Sequence, residues 1–285
     1  SAYQVAQKQP MKLAAMEALY NGGNDQGLTV IALVDPFSQP DYAAGEEPPM
    51  KIAVPNVLSF LATHDFHGFV PGVNDIIKGG YTLPDGTTEI SLQEKIQRGQ
   101  QAITALGEYR KIKAQTRGKE LTARQRADLE GYCNTLNANM KYFGYGYIKD
   151  AEQIVPSIPI CFYAFRVMVG LGSIFILFFL VVLYVVYRKD IKPKRWLQRI
   201  ALLLLPCVYI ASEAGWLVAE FGRQPWTIQD LMPTWVAVSD LQSGSVMLTF
   251  FIFLVLFTTM LAVEISILCK QIKKGPTYTA DERTS

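Results

Sequence analysis

The amino-acid sequence predicts a mainly α-helical, polytopic membrane protein with three transmembrane helices and a mixed, mostly helical extramembrane region. Three observations carry that expectation. Residues 167–187 contain no charge, and about 20 apolar residues suffice to cross the hydrocarbon core as a helix. Two further apolar runs follow, residues 200–219 interrupted by Pro206 and Glu213, and residues 245–269 interrupted by Glu264; one polar residue does not outweigh the rest of such a run. The remaining charges crowd into residues 1–155 and two short clusters, the unevenness expected when a membrane part and a soluble part share a chain.

Taken in chain order, residues 1–157 read as the extramembrane region. Residues 5–21 are expected to be helical with a start at Pro10, because Pro is tolerated at a first helical position and Lys-Leu-Ala-Ala-Met-Glu are good helix formers; Gly22 and Gly23 would stop the helix. Residues 28–34 form a short β-type run closed by Asp35 and Pro36, and residues 50–54 are a candidate second strand before Pro55. Residues 36–49 and 68–88 are rich in Pro, Gly and Asp and read as loops. Ser91 with Glu94, and Thr122 with Gln125, have capping-box spacing and predict helices over 91–115 and 122–141, paired as a hairpin.

The first span is expected over 158–188, beginning near Pro159 and therefore placing Arg166 inside it. A basic loop at 189–198, a second span at 199–220, a connection at 221–243, a third span at 244–270 and a tail at 271–285 complete the chain. Residues 188–199 hold six basic residues against one acidic, Lys270, Lys273 and Lys274 follow the third span, and the 221–243 connection has only Arg223. By the positive-inside rule the two basic clusters are cytoplasmic, so residues 1–157 and the 221–243 connection share the outer face.

Composition narrows the function classes. A net charge of +2 is no nucleic-acid signal. Cys133, Cys161, Cys207 and Cys269 lack CxxC spacing, which argues against a structural zinc site and a disulfide framework. The chain opens without Met or a signal segment, and is read as the continuation of a longer protein.

Ionisable groups inside spans are costly and need a reason, which makes Arg166, Glu213 and Glu264 functional candidates unless they lie near the membrane surface. Glu213, Trp216 and Glu220 are spaced to share one helix face, continued by Arg223 if the helix extends that far. Such a stripe is either a site or an interfacial salt bridge with an aromatic anchor. Met168 taken alone is packing. His64 and His67 have a spacing that suits a metal but more often marks solvated surface.

Three blocks together resemble subunit I of the cytochrome bd quinol oxidases. Gly222, Arg223, Gln224, Pro225 and Trp226, preceded by Glu213, Trp216 and Glu220, resemble that family's signature; residues 165–170, with Arg166 and Met168, resemble its haem-binding helix; residues 9–17, from Gln9 to Glu17, resemble the start of its quinol-binding loop. The resemblance implies a long-form loop over residues 1–157 and the last three spans of the subunit. It implies Met168 as an axial ligand of a low-spin haem b, with Arg166 on a propionate, and Glu220 as the ligand of a high-spin haem b, with Trp216 and Arg223 beside it. A thioether raises a haem's potential and a guanidinium pairs with a carboxylate, so the residue types suit those roles. Lys12 and Glu17 are implied at the quinol site, where a proton acceptor and a group that polarises the quinol oxygens are needed. Their spacing of five places the two side chains about 140° apart on a regular helix.

The implied activity is a quinol:oxygen oxidoreductase. Quinol is oxidised on the outer face of the bacterial inner membrane, two haems b pass electrons to haem d, and O2 is reduced to water, building a proton gradient without a pump. The implied partners are the N-terminal part of subunit I, subunit II, a small accessory subunit and membrane lipid. The histidine ligands of the low-spin haem and of haem d belong to earlier helices that this chain lacks, so the chain alone is expected to be inactive. The rival class is a non-enzymatic transporter or receptor component whose membrane charges line a pathway.

Overall fold

The computed structural model describes residues 2–45, 47–83, 86–116, 122–188 and 195–275. They fall into two units, divided between Ala237 and Val238.

The first unit opens with two short helices, α1 (Ala2–Lys8) and α2 (Pro10–Glu17), the latter starting on Pro10 as expected. It ends well before Gly22. Ala18 adopts the left-handed conformation (φ 47°, ψ 44°), and Leu19 N–H donates to Ala14 O at 2.9 Å, closing the helix in the manner usually assigned to glycine. Gly22 instead lies against the backbone of Val70 and Gly72, where a Cβ would meet Pro71 Cα at 2.8 Å, so the glycine serves close approach between chain segments.

Strands β1 (Leu28–Ile31) and β2 (Ile52–Val54) pair antiparallel, with Thr29 opposite Ala53. The register shifts between Thr29 and Ile31. The bulge leaves Thr29 buried while Val30 and Ile31 both face outward, which simple alternation would not produce. Beyond β1 the run at 28–34 is held by a side chain: Tyr163 Oη donates to Val34 O at 2.6 Å and accepts from Val34 N–H at 3.2 Å. Two short helices, α3 (Val57–Thr63) and α4 (Val73–Lys78), follow. The second corrects the loop expected over 68–88: Asp75 Oδ2 accepts from Gly72 N–H at 3.1 Å and caps it.

The helical hairpin forms as α5 (Leu92–Gln115) and α6 (Ala123–Asn139), the second ending slightly before residue 141 where a 3-10 segment (Met140–Tyr147) takes over. Thr122 and Gln125 make both bonds of the capping box. Ser91 Oγ accepts from Glu94 N–H at 3.3 Å, but the Glu94 carboxylate turns to Arg98. A buried ion pair between Lys95 and Glu89 at 2.5 Å fixes the start of α5 to the preceding loop.

Three helices among the described residues are long and apolar enough to cross a membrane: α7 (Ile158–Tyr187), α8 (Arg195–Phe221) and α9 (Ser243–Lys274). Helix α7 begins where the Pro159 signal placed it, and Gln39 Oε1 accepts from its first N–H, that of Ile158, at 3.1 Å. Helix α8 starts at Arg195, inside the stretch read as loop, and the described part of the 189–198 segment is that helical start; residues 189–194 lie outside the described residues. The first unit's main core lies where α2, the first turns of α7 and the last turns of α8 meet, around Ala14, Ala15, Phe162, Cys161, Ala214 and Val218. The two alanines are fully buried, and their small side chains let α2 lie close to the spans.

The second unit is α9. It is apolar on every side, as a membrane helix is, and extends through Lys274, past the residue 270 boundary. Thr249 and Thr259 donate their hydroxyls to the carbonyls four residues back, at 2.8 and 2.7 Å, which satisfies them without water.

Candidate functional site

The early end of α2 makes Glu17 its last helical residue, and the carboxylate turns into the junction of α2, β1 and α7. Glu17 is 2% exposed. Its Oε2 accepts from Thr29 N–H at 3.1 Å and from Arg166 Nη2 at 3.2 Å; its Oε1 is buried without a hydrogen-bond partner. Burial raises the Glu17 carboxyl above its ordinary value, and the Arg166 charge and the Thr29 N–H offset this in part.

Arg166 holds the junction together. Nη1 donates to Met16 O at 2.5 Å and Phe162 O at 3.2 Å, Nη2 donates to Thr29 O at 2.8 Å as well as to Glu17, and the guanidinium lies 3.6 Å from the Phe162 ring centroid. Only Nε remains, buried and unpartnered. One side chain on the span thus fastens two loop segments, α2 and β1. Two residues further along α7, Met168 packs its thioether onto α8 at Gly215, where a Cβ would lie 3.1 Å from Sδ.

Lys12 leaves α2 in another direction. Its stem crosses the C-terminal end of α8 over Gly222, and burial lowers its ammonium below the ordinary lysine value, with Cys161 and, more weakly, Glu220 opposing the effect and Arg223 adding to it. The five-residue spacing thus separates Lys12 and Glu17: Lys12 meets the end of α8, Glu17 meets β1 and α7.

Glu220 and Arg223 form an ion pair at 2.7 Å, each side chain about two-fifths exposed. Helix α8 ends at Phe221, so the condition for Arg223 to continue that helix face is not met. Arg223 reaches Glu220 from a turn that contains the cis Gln224–Pro225 bond and leads into β3 (Trp226–Ile228), which pairs with β4 (Met232–Pro233). This turn is anchored from the 3-10 segment: Gly144 N–H donates to Asp230 O at 2.9 Å, Tyr145 Oη donates to Asp230 Oδ1 at 2.7 Å, and buried Trp226 stands edge-on to the Tyr145 ring at 5.0 Å. Burial and Asp230 push the Tyr145 phenol well above its ordinary value, so it stays a donor.

The other sequence candidates are dispersed. Trp216 is 57% exposed and Glu213 is exposed, so neither joins the buried junction. His64 stacks on Tyr3 and His67 pairs with Asp25, two different partners in place of one shared ion. Glu264 lies on α9.

Sequence reasoning missed Thr29, which binds Glu17 by its N–H and Arg166 by its carbonyl, and it missed the clearances at Gly215 and Gly222. Main-chain contacts leave no residue-type signal.

Met168 is half-buried between two helices, Glu220 offers a carboxylate at a helix end, and Arg166 has one buried N–H to spare. The thioether and the carboxylate are residue types that ligate haem iron.

Comparison with known proteins agrees in kind. The family model for cytochrome bd terminal oxidase subunit I matches residues 1–276. The chain is 32% identical over 284 residues to cytochrome bd-II ubiquinol oxidase subunit 1 of Escherichia coli (strain K12), covering 99% of this chain and 52% of that protein. It is 27% identical over 271 residues to cytochrome bd ubiquinol oxidase subunit 1 of Bacillus subtilis (strain 168), covering 94% and 42%. Among solved structures, the bd oxidase from Geobacillus thermodenitrificans shares the fold, with a TM-score of 0.54 at 20% identity over 96% of this chain and 44% of that one. The chain spans about half the length of these curated relatives.

Proposed function

Since the chain belongs to the cytochrome bd terminal oxidase subunit I family, we propose that it is the portion of a quinol oxidase that meets quinol on the outer membrane face and delivers its electrons toward oxygen. The observation that carries this reading is the Glu17–Arg166 junction. It ties a loop carboxylate to the span position two residues before Met168, so a proton-accepting group and a candidate haem ligand sit on directly bonded elements.

Oxidation of a quinol to a quinone releases two electrons and two protons. Glu17 is suited to receive a proton at Oε1, the oxygen without a donor, and burial moves its carboxyl toward the range in which a general base works. Arg166 and the Thr29 N–H hold the other oxygen, so the accepting atom does not rotate away. Lys12 would donate to a quinol oxygen from the α8 side, and because it diverges from Glu17 the two groups would not converge on one oxygen. Haems b held through Met168, with Arg166 on a propionate, and through Glu220, with Arg223 and Trp216 beside it, would supply one-electron carriers leading to haem d.

Residues 1–157 would face the periplasm, placing proton release outside. The rest of subunit I, subunit II and any accessory subunit complete the activity. The transporter or receptor alternative has no observation in its favour.

The test is a reduced-minus-oxidised spectrum of membranes containing the full-length subunit and its partners, with quinol as reductant. Haem b and haem d bands are expected, and Lys12→Ala or Glu17→Ala should slow quinol-driven reduction while dithionite still reveals full haem content. A stable complex without haem, or full quinol turnover in both variants, would overturn the reading.

A further inference from the structure

We infer that Gly222 is a positioning residue for Lys12: it is glycine so that the lysine stem can cross the end of α8, and any side chain there displaces the ammonium from its place at the quinol site. The inference rests on the assignment of Lys12 to that site.

The packing is specific. Gly222 is buried, and a Cβ built on it would lie 2.8 Å from Lys12 Cγ and 3.0 Å from Lys12 Cε. Carbon–carbon contacts ordinarily begin near 3.5 Å, so the stem occupies the space that any other residue would fill. Lys12 cannot simply shift with its helix. Two and three residues on, Ala14 and Ala15 are fully buried in the core against α7 and α8. Gly222 cannot readily retreat either: its N–H donates to Val218 O at 3.1 Å, and a Cβ would also come within 2.6 Å of that oxygen.

Confinement of the stem decides where the ammonium goes. Lysine is a flexible four-carbon chain whose head wanders unless its methylenes are packed. Here Cγ and Cε both rest on Gly222, and the ammonium feels Cys161, Arg223 and Glu220. The glycine is conformationally ordinary by this account, since its φ is not in the left-handed region, and what it contributes is the absence of a side chain.

The experiment is a double-mutant cycle in the full-length, assembled oxidase, read by steady-state quinol oxidation and by haem spectra. Lys12→Ala, Gly222→Ala and the double variant are compared. Gly222→Ala is expected to lower kcat/KM for quinol about 10- to 100-fold, the scale of an ångström-sized misplacement, mostly through KM, with the dithionite-reduced spectrum retained. In the Lys12→Ala background the same change should cost clearly less than it does alone, leaving only the part due to the Val218 carbonyl, 2.6 Å from the new Cβ, because there is no stem to displace. Additive losses would overturn the inference.

Should Gly222→Ala assemble poorly, the double variant still decides. Haem content restored by Lys12→Ala supports the steric account, and content that stays low places the requirement in the turn backbone and refutes it. Wild-type quinol kinetics in Lys12→Ala alone would be a separate failure, removing Lys12 from the quinol site and this inference with it.

Discussion

Replacing Arg166 by Met should loosen the attachment of α2 and β1 to α7 more than any change at Glu17. Arg166 makes four hydrogen bonds, one to the Glu17 carboxylate and three to the carbonyls of Met16, Thr29 and Phe162. Removing one partner of a buried ion pair costs about 3–5 kcal/mol, because the other is left charged and unpaired. Glu17 can escape by taking a proton, and its carboxyl is already raised by burial, which points to the lower end, about 3 kcal/mol. Glu17→Gln keeps an oxygen for the Thr29 N–H and leaves Arg166 its three carbonyls, so about 1.5 kcal/mol is expected, the lower end for a hydrogen bond to a charged group.

The assay is hydrogen exchange, followed by mass spectrometry on peptides covering Thr29, whose N–H donates to Glu17 Oε2. At one decade per 1.4 kcal/mol, Arg166→Met should speed exchange about 100-fold or more and Glu17→Gln about 10-fold. Unchanged exchange in Arg166→Met, or faster exchange in Glu17→Gln than in Arg166→Met, would show that the guanidinium does not hold the junction.

Two further outcomes follow from the same geometry. The Glu17 carboxyl is raised from 4.5, chiefly by burial, so the folded state favours its protonated form. The stability linked to this group is complete below 4.5 and is lost as pH rises through the raised value; thermal unfolding profiles of wild type and Glu17→Gln should diverge over that window, and parallel profiles would count against the burial. Gly144→Ala would push a Cβ to within 2.6 Å of Asp230 O and 2.7 Å of Trp226 Cζ3, at a cost of about 1–3 kcal/mol. Faster limited proteolysis across residues 226–236 is expected, and wild-type resistance would show that the anchor yields.

The spans, their order and their class were written in local sequence, because a bilayer demands about 20 consecutive apolar residues and that demand is met within one segment. The helical hairpin was legible for a similar reason: Thr122 and Gln125 satisfy each other's helix end without help from elsewhere. The candidate residues were reached through three short blocks, and their separation along α2 through helical geometry alone.

Tertiary structure decided what those residues touch. Helix α2 stops at Ala18 and not at Gly22 because a packed alanine can be held left-handed by its surroundings, whereas propensity weighs each residue alone. Helix α4 forms in a Gly-rich stretch because Asp75 caps it and its apolar side chains Val73 and Ile76 join the core. The Glu17, Arg166 and Thr29 junction joins positions separated by up to 149 residues, two of its bonds run to main-chain atoms of Thr29, and the lysine path over Gly222 is a matter of empty space. Long-range carbonyl contacts and clearances have no residue-type signature, since every residue carries the same backbone and vacancy is defined only by what folds around it.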